Sequence, residues 1–300
     1  MSDRPRSRFA WSAIGVTLAA AAILSQADDG ADRARWLLGL TGAYLALLAT
    51  ASIMPHWNFY LRAIRRGPTD RPWVALTFDD GPDPAVTPAL LDLLRQEGVS
   101  AVFFFVGESA RRHPALVARA AADGHLIGNH SDRHGYDWAF AAAPRILAEF
   151  AAANRTLTAI LGDAPRFVRT PVGISRPGLA PAFRQLRLTP IGWDVRGLEL
   201  LYRDPERIAA RIARRARNGS IILLHETDYG VGSIAPQQAL ATARLTIARL
   251  RTRGFRFVRL DQLLSPTLRA VGEPRPAAGA GAFAAQPHRF LSHDSSAGDA

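Results

Sequence analysis

Two long apolar stretches open the chain, and a regular exchange of short apolar runs with amphipathic segments follows them. The first stretch, Ala10 to Ser25, is alanine-rich, and the second, Trp36 to Met54, carries no charge. The second matches the ~20 apolar residues that a membrane-spanning helix needs. In neither is the apolar character confined to one face, which favours lipid over packing against a soluble core. Ser25-Gln26-Ala27 also resembles a cleavage site, so the first stretch reads either as a span or as a signal-peptide core. Arg4, Arg6 and Arg8 precede the first stretch, and Arg62, Arg65 and Arg66 follow the second. The loop between them mixes Asp28, Asp29 and Asp32 with Arg33 and Arg35. By the positive-inside rule, both flanks of such a hairpin lie in the cytoplasm, at a bacterial-type inner membrane. A single span with the amino terminus inside would put the remainder on the periplasmic side.

From Pro68 to about Leu264 the pattern predicts strands alternating with helices. Expected strands are Trp73–Phe78, Ala101–Val106, His125–Gly128, Arg166–Val168, Thr189–Trp193, Ser220–Leu224 and Phe255–Val258. Expected helices are Pro88–Gln96, Pro114–Asp123, Pro144–Leu161, Pro205–Arg217 and Ala235–Arg253. This alternation predicts an α/β fold on a parallel sheet, open or closed into a barrel. The expected division is a membrane region over 1–67, a folded domain over 68–271, and an Ala/Gly/Pro-rich disordered tail over 272–300. No internal repeat is visible.

Composition removes several classes of chemistry. The chain has no cysteine and no lysine, so thiol nucleophiles, disulfides, Schiff bases and a phosphate-loop lysine are excluded. All the cationic side chains are arginines, and the formal net charge is +11. They are spread along the chain and form no nucleic-acid module, so the basic surface is assigned to anionic lipid, with no nucleic-acid or obligate protein partner.

Polar clusters fall where the expected strands end. Asp79-Asp80 follows one strand and His130-Ser131-Asp132-Arg133-His134 another; Arg169-Thr170-Pro171-Val172-Gly173, Trp193-Asp194 and His225-Glu226 follow three more. Carboxyl ends of parallel strands open onto one face, so the five clusters are expected to share a pocket. Strand alternation sends Asp79 and Asp80 to different places, so one can bind a cation while the other works beside it. His130 and His134 face the same way if they share one helical turn. With one aspartate they make a three-ligand set with an open position, the pattern of a catalytic divalent metal site, most often zinc. Such a metal activates water and polarises a carbonyl. The other aspartate can then act as base, and His225 as acid on a leaving amine. Arg169 can orient a carboxylate. The backbone N–H of Val172 can face an oxyanion. Trp193, Trp138 and Tyr136 can stack on sugar faces. The sum is metal-assisted hydrolysis of an amide or ester. A two-carboxylate glycosidase would leave the histidine pair idle.

"TFDDGP", "HSDRH", "RTPVG" and "LLH" resemble four motifs of the polysaccharide deacetylases with the NodB homology domain, carbohydrate esterase family 4. The resemblance runs from about Val74 to Leu264. It implies a distorted (β/α) TIM-like barrel and removal of N-acetyl groups from an amino sugar in a glycan, oligosaccharide or lipid-linked form. It implies Asp79 as base and Asp80, His130 and His134 as ligands of one divalent metal, zinc or alternatively cobalt. It further implies Arg169 tuning the base, His225 as acid and Leu223 as a wall for the acetyl methyl. The fourth family motif departs: "WDVRGLELL" has Glu199-Leu200 where Asp-Trp is usual, so Glu199 is expected to replace an aspartate on Arg169, with Trp193 supplying the missing wall. Val172 stands where tyrosine is common. A deformylase, an O-acetyl esterase or a non-catalytic sugar-binding protein would fit the same motifs.

Overall fold

The computed structural model describes residues 8–26, 29–135, 141–199, 201–227 and 234–265. The expected tail from 272, and Tyr136 and Trp138, lie outside the described residues.

The two apolar stretches form helices α1 (Arg8–Gln26) and α2 (Gly30–Ile53), both long and apolar enough to cross a membrane by length and composition. They run antiparallel: Ser12 Oγ lies 3.3 Å from Tyr44 Oη, and Phe9 packs with Phe59, Tyr60 and Ala51 at the other end of α2. Among the described residues, almost nothing covers either helix. Asp29 caps α2 by accepting a hydrogen bond from the Ala31 N–H, an ordinary helix start.

The remainder is a curled, all-parallel sheet with helices outside. Its strands are β1 (Trp73–Asp79), β2 (Ala101–Phe105), β3 (Leu126–Asn129), β4 (Phe167–Val168), β5 (Thr189–Pro190), β6 (Val195–Arg196), β7 (Ile221–His225) and β8 (Arg256–Phe257). The order is β5-β4-β3-β2-β1-β7-β6, with β8 on the start of β1. Between them lie α3 (Thr87–Gln96), α4 (Gly107–Arg112), α5 (Pro114–Ala122), α6 (Ala143–Leu161), α7 (Leu179–Gln185), α8 (Pro205–Arg215) and α9 (Pro236–Thr252), and α10 (Leu260–Leu263) follows β8.

The α/β fold on a parallel sheet is as expected, and one departure in its strands matters. The strand expected over Thr189–Trp193 stops at Pro190 apart from one bridge at Ile191; the chain then crosses from one end of the sheet to the other and resumes as β6. The barrel is therefore not closed by strand pairing, and the segment before β1 stitches the gap. Ile64 bridges Ile191, and Arg66 bridges Ser220 at the foot of β7.

Strand alternation divides the core. Val74, Leu76 and Phe78 of β1, Phe103 and Phe105 of β2, and Ile222 and Leu224 of β7 pack against the outer helices. Ala75, Val102, Phe104, Phe167 and Ile221 fill the inside. The inner set of β1 continues through Thr77 to Asp79, and that of β7 through Leu223 to His225. Asp79 and His225 are paired across the β1–β7 ladder.

Candidate active site

The inner mouth of the sheet gathers side chains from four of the polar clusters and Trp193 of the fifth, whose Asp194 instead accepts from Ser220 and Ile221 at the foot of β7. Asp79 leaves β1 pointing inward, by parity with Ala75 and Thr77. Asp80 has φ +76, in the left-handed region, and this turn brings its carboxylate back to the same chamber. The two aspartates thus converge, contrary to simple alternation: Asp80 Oδ1 is 3.2 Å and Asp79 Oδ2 3.7 Å from the same His130 Nε2. His134 Nε2 is 3.1 Å from Asp80 Oδ1.

The histidine pair is not on a helical turn. Ser131 (φ +68) and His134 (φ +54) bend the loop, and the two rings lie 5.0 Å apart. The loop is fastened at several points. Asn129 Oδ1 accepts from the Ser131 N–H at 2.8 Å, Ser131 Oγ from the His134 N–H at 3.1 Å, and Glu149 from the N–H groups of Asp132 and Arg133. Arg111 holds the Asp132 carboxylate through both ends of its guanidinium. His130 Nδ1 faces the carbonyl oxygen of Arg169 at 2.9 Å. A carbonyl only accepts, so Nδ1 carries the hydrogen and Nε2 is turned to the carboxylates.

One ligand atom each from Asp80, His130 and His134 lies within 4.8 Å of the others, all buried. Asp80 Oδ1 makes no aligned hydrogen bond although two imidazole nitrogens face it. A buried carboxylate oxygen facing two ring nitrogens without bonding either is a donor set that fits a divalent cation. Without a cation, the carboxylates and imidazoles answer one another's charge. Burial alone would raise the Asp80 pKa, but His130 and His134 together hold it far below the usual carboxylate range. Burial works against a charged His130, and Asp79 and Asp80 outweigh it.

Arg169 is 1% exposed and almost fully engaged. Its Nη1 donates to Asp79 Oδ1 at 2.6 Å and to Thr77 Oγ1 at 2.8 Å, and its Nη2 to the Gly192 carbonyl at 3.0 Å. Its plane lies 4.2 Å from the Phe104 ring centre. Glu199, expected on Arg169, is elsewhere: its Oε2 is 3.5 Å from His225 Nδ1. The partners of Arg169 come instead from β1 and the crossing stretch at Ile191–Gly192. Burial disfavours a charged His225, but Glu199, helped by Asp80 and Asp79, overrides it and raises the pKa to about 9.

Val172 sits in the 3-10 turn Pro171–Gly173 with φ +49, and is 53% exposed at the mouth. Gly173 (φ +72) is required there, because an added Cβ would meet the Trp193 ring at 2.7 Å. Trp193 therefore lies under this turn, 5.6 Å from the Arg169 guanidinium. Leu223 is buried on the inner face of β7, opposite Thr77. Thr77, which holds Arg169, is a site residue beyond those expected from the sequence. Its signal was present, as the one polar residue inside "VALTF", two before Asp79 and on the same side.

A curled parallel sheet with an Asp-His-His set, a second aspartate and a histidine at its mouth defines a hydrolase-type centre. Comparisons with known proteins make the class specific. Residues 66–191 match the family model described as polysaccharide deacetylase. The chain is 33% identical over 199 residues to a peptidoglycan-N-acetylglucosamine deacetylase of Bacillus cereus, covering 66% of this chain and 70% of that protein. It is 34% identical over 206 residues to a chitooligosaccharide deacetylase of Sinorhizobium fredii, covering 65% of this chain and 94% of that protein. The crystal structure of the Bc1960 peptidoglycan N-acetylglucosamine deacetylase superposes with a TM-score of 0.62 at 33% identity, over 67% of this chain and 92% of that one. A family 4 carbohydrate esterase from Streptomyces lividans gives 0.55 at 27% identity, over 62% of this chain and 91% of that one. The chain belongs to the polysaccharide deacetylase family and is a hydrolase of its N-deacetylase type.

Proposed function

We propose that this chain removes N-acetyl groups from amino-sugar residues of a glycan, oligosaccharide or lipid-linked sugar, at a site built on one divalent metal, zinc or cobalt. The observation that carries the reading is the meeting of Asp80 Oδ1 with two imidazole Nε2 atoms at 3.1 and 3.2 Å, beside an aspartate clamped by an arginine. Asp80, His130 and His134 would hold the ion, which when bound supplies Lewis-acid activation of water and carbonyl.

Asp79 is assigned as the base. Arg169 fixes Oδ1 and leaves Oδ2 toward the chamber. His225 is assigned as the acid, since a pKa of about 9 keeps it protonated at neutral pH, ready to give a proton to the leaving amine. Val172 is assigned to meet the oxyanion with its N–H, and Leu223 and Trp193 to form apolar walls. Glu199 acts through His225 as a positioning residue.

The apolar hairpin is assigned to the membrane, with Trp11 and Trp57 near one end and the exposed Trp36 toward the other, as interfacial anchors sit. Both flanks are then on one side, and the arginine distribution favours the cytoplasm by the positive-inside rule. A periplasm-active reporter fused after Leu264 that gave signal would overturn that orientation.

The test is acetate release by the full-length protein with added zinc or cobalt, against chitin oligomers, peptidoglycan fragments and lipid-linked N-acetyl sugars. Asp79→Asn is the control. Acetate that disappears in the variant supports the reading. Formate release, or acetate only from O-acetyl esters, would replace it with the deformylase or esterase activity of the same site.

A further inference from the structure

A second concavity adjoins the mouth. It is about 300 Å³ and runs from the end of α2 (Ile53 to His56) beneath Val172 and Trp193 to Arg65, Arg196, Arg211 and Arg215. That volume is at the lower end of the ~300–1,000 Å³ usual for small-ligand pockets. Its charge is one-sided. Among the described residues, the only carboxylate lining it is Asp194, and that group is already engaged: it accepts from Ser220 Oγ at 2.9 Å and the Ile221 N–H at 3.0 Å, with Arg217 at 3.5 Å.

Among the described residues, no carboxylate forms an ion pair with any of the four arginines, although Asp194 attracts Arg65. Arg65 donates to the Trp193 carbonyl at 2.9 Å, a neutral partner. Among the described residues, Arg211 Nε is buried with no hydrogen-bond partner. Arg211 and Arg215 are four apart on α8, so their side chains point the same way. Burial, then the charges of Arg215, Arg196 and Arg214, push the Arg211 pKa down. The repulsion among these guanidinium groups is relieved when an anion enters. Guanidinium groups match phosphate oxygens through paired N–H donors.

The position of the cavity says which phosphate. One wall, Val172 and Trp193, is shared with the catalytic mouth; the other is the last turn of α2 and the Pro55 turn after it. The contact is bonded, since the Ser175 N–H donates to the Ser52 carbonyl of α2 at 2.9 Å. A ligand filling both spaces would have a sugar at the metal set, a phosphate among the arginines and its remaining end at the foot of an apolar hairpin. We propose, resting on the deacetylase reading above, that Arg65, Arg196, Arg211 and Arg215 bind the phosphate or diphosphate of a substrate in which an N-acetylated amino sugar is joined to a lipid tail.

The test uses full-length protein in phosphatidylcholine nanodiscs, parent against an Arg211→Gln/Arg215→Gln double variant. Glutamine keeps helix propensity close to that of arginine, and circular dichroism checks the fold. Inorganic diphosphate is titrated by calorimetry, a readout independent of turnover. Acetate release is then compared between N-acetylglucosaminyl diphosphate carrying a short prenyl tail and neutral chitotriose. The expected result is at least ~10-fold weaker diphosphate binding in the variant, and a similar fall in the ratio of kcat/KM for the two substrates, the size expected when charge-assisted hydrogen bonds are lost. Equal efficiency on both substrates in the parent, with a ratio unmoved in the variant, would overturn the phosphate site and leave the deacetylase standing. Diphosphate binding that the variant loses, with no acetate from any sugar, would sustain the anion site and sink the deacetylase reading. If the variant loses only attachment to vesicles containing phosphatidylglycerol and its substrate ratio holds, the arginines serve bilayer headgroups and the proposal fails.

Discussion

Arg169 holds Asp79 through a 2.6 Å ion pair while its own carbonyl oxygen holds His130 by the far side of the ring, at 2.9 Å. One residue thus fixes both the assigned base and an assigned ligand. Its guanidinium contacts are directional, to Thr77, Asp79, Gly192 and the face of Phe104. Arg169→Lys keeps the charge but not the fork or the stacking plane. We expect kcat to fall ~10²-fold from misplacement of Asp79. Arg169→Met, which leaves Asp79 buried and unpaired, should cost about 3–5 kcal/mol of stability. Steady-state kinetics and urea unfolding check the two effects separately.

Removing one ligand should remove the ion. His134→Ala is expected to lose metal and turnover together, whereas Asp79→Asn keeps the metal and loses turnover. Elemental analysis of the dialysed proteins reads this directly. Full metal occupancy in His134→Ala would strike that residue from the ligand set.

Glu199→Gln takes away the carboxylate that raises His225 to about 9. The acid must be protonated to act, so the alkaline limb of the pH–rate profile should move down. A fall from about 9 to an ordinary ~6.5 lowers the protonated fraction at pH 8 roughly 30-fold, with much less change near pH 6. A uniform loss at all pH values would mean that Glu199 only supports the loop.

Glu226 gives a stability signature. It is fully buried behind Gly81, hydrogen-bonded to Thr87, and burial raises its pKa to about 8. The folded state keeps this proton while the unfolded chain releases it above about 4.5. Stability should therefore decline as pH rises from about 4.5 through 8, by up to several kcal/mol. In Glu226→Gln that decline should flatten and Tm at pH 8 should rise. Parallel pH–Tm curves for the two proteins would contradict the buried-proton account.

His125 acts in the opposite direction. It accepts from the Ala101 N–H through Nδ1 and stacks edge-on to Phe103; burial lowers its pKa to about 4. The unfolded histidine takes up a proton below ~6.5, so stability is lost as pH falls from there through 4, by up to about 3 kcal/mol. His125→Gln should remove this acid sensitivity in urea titrations.

Much of this was legible in the sequence because strand alternation and strand ends are local. β1, β2 and β7 are apolar runs, and the residues after them sit at the mouth because a parallel sheet has one carboxyl end. The six-residue helix α4 has too little length to show a period. The break after Pro190 was hidden because Ile191 continues the apolar run while its chain turns across the sheet. The Asp80 turn and the His130–His134 bend depend on positive φ at non-glycine residues, which propensity does not signal. Glu199 meets His225 and not Arg169, since sequence order cannot tell which end of the chamber a crossover loop reaches.

The stitching of Ile64 to Ile191 and of Arg66 to Ser220 bears on how the enzyme can be handled. β5 ends the sheet order and is two residues long, and Ile64 exchanges backbone hydrogen bonds with Pro190 and Gly192 beside it, so this lead-in covers backbone that would otherwise lie open. Shortening the chain to begin at Pro68 would uncover an unpaired strand edge, a template for association with other copies. A water-soluble form that stays monodisperse should therefore retain the residues from about Asn58 onward.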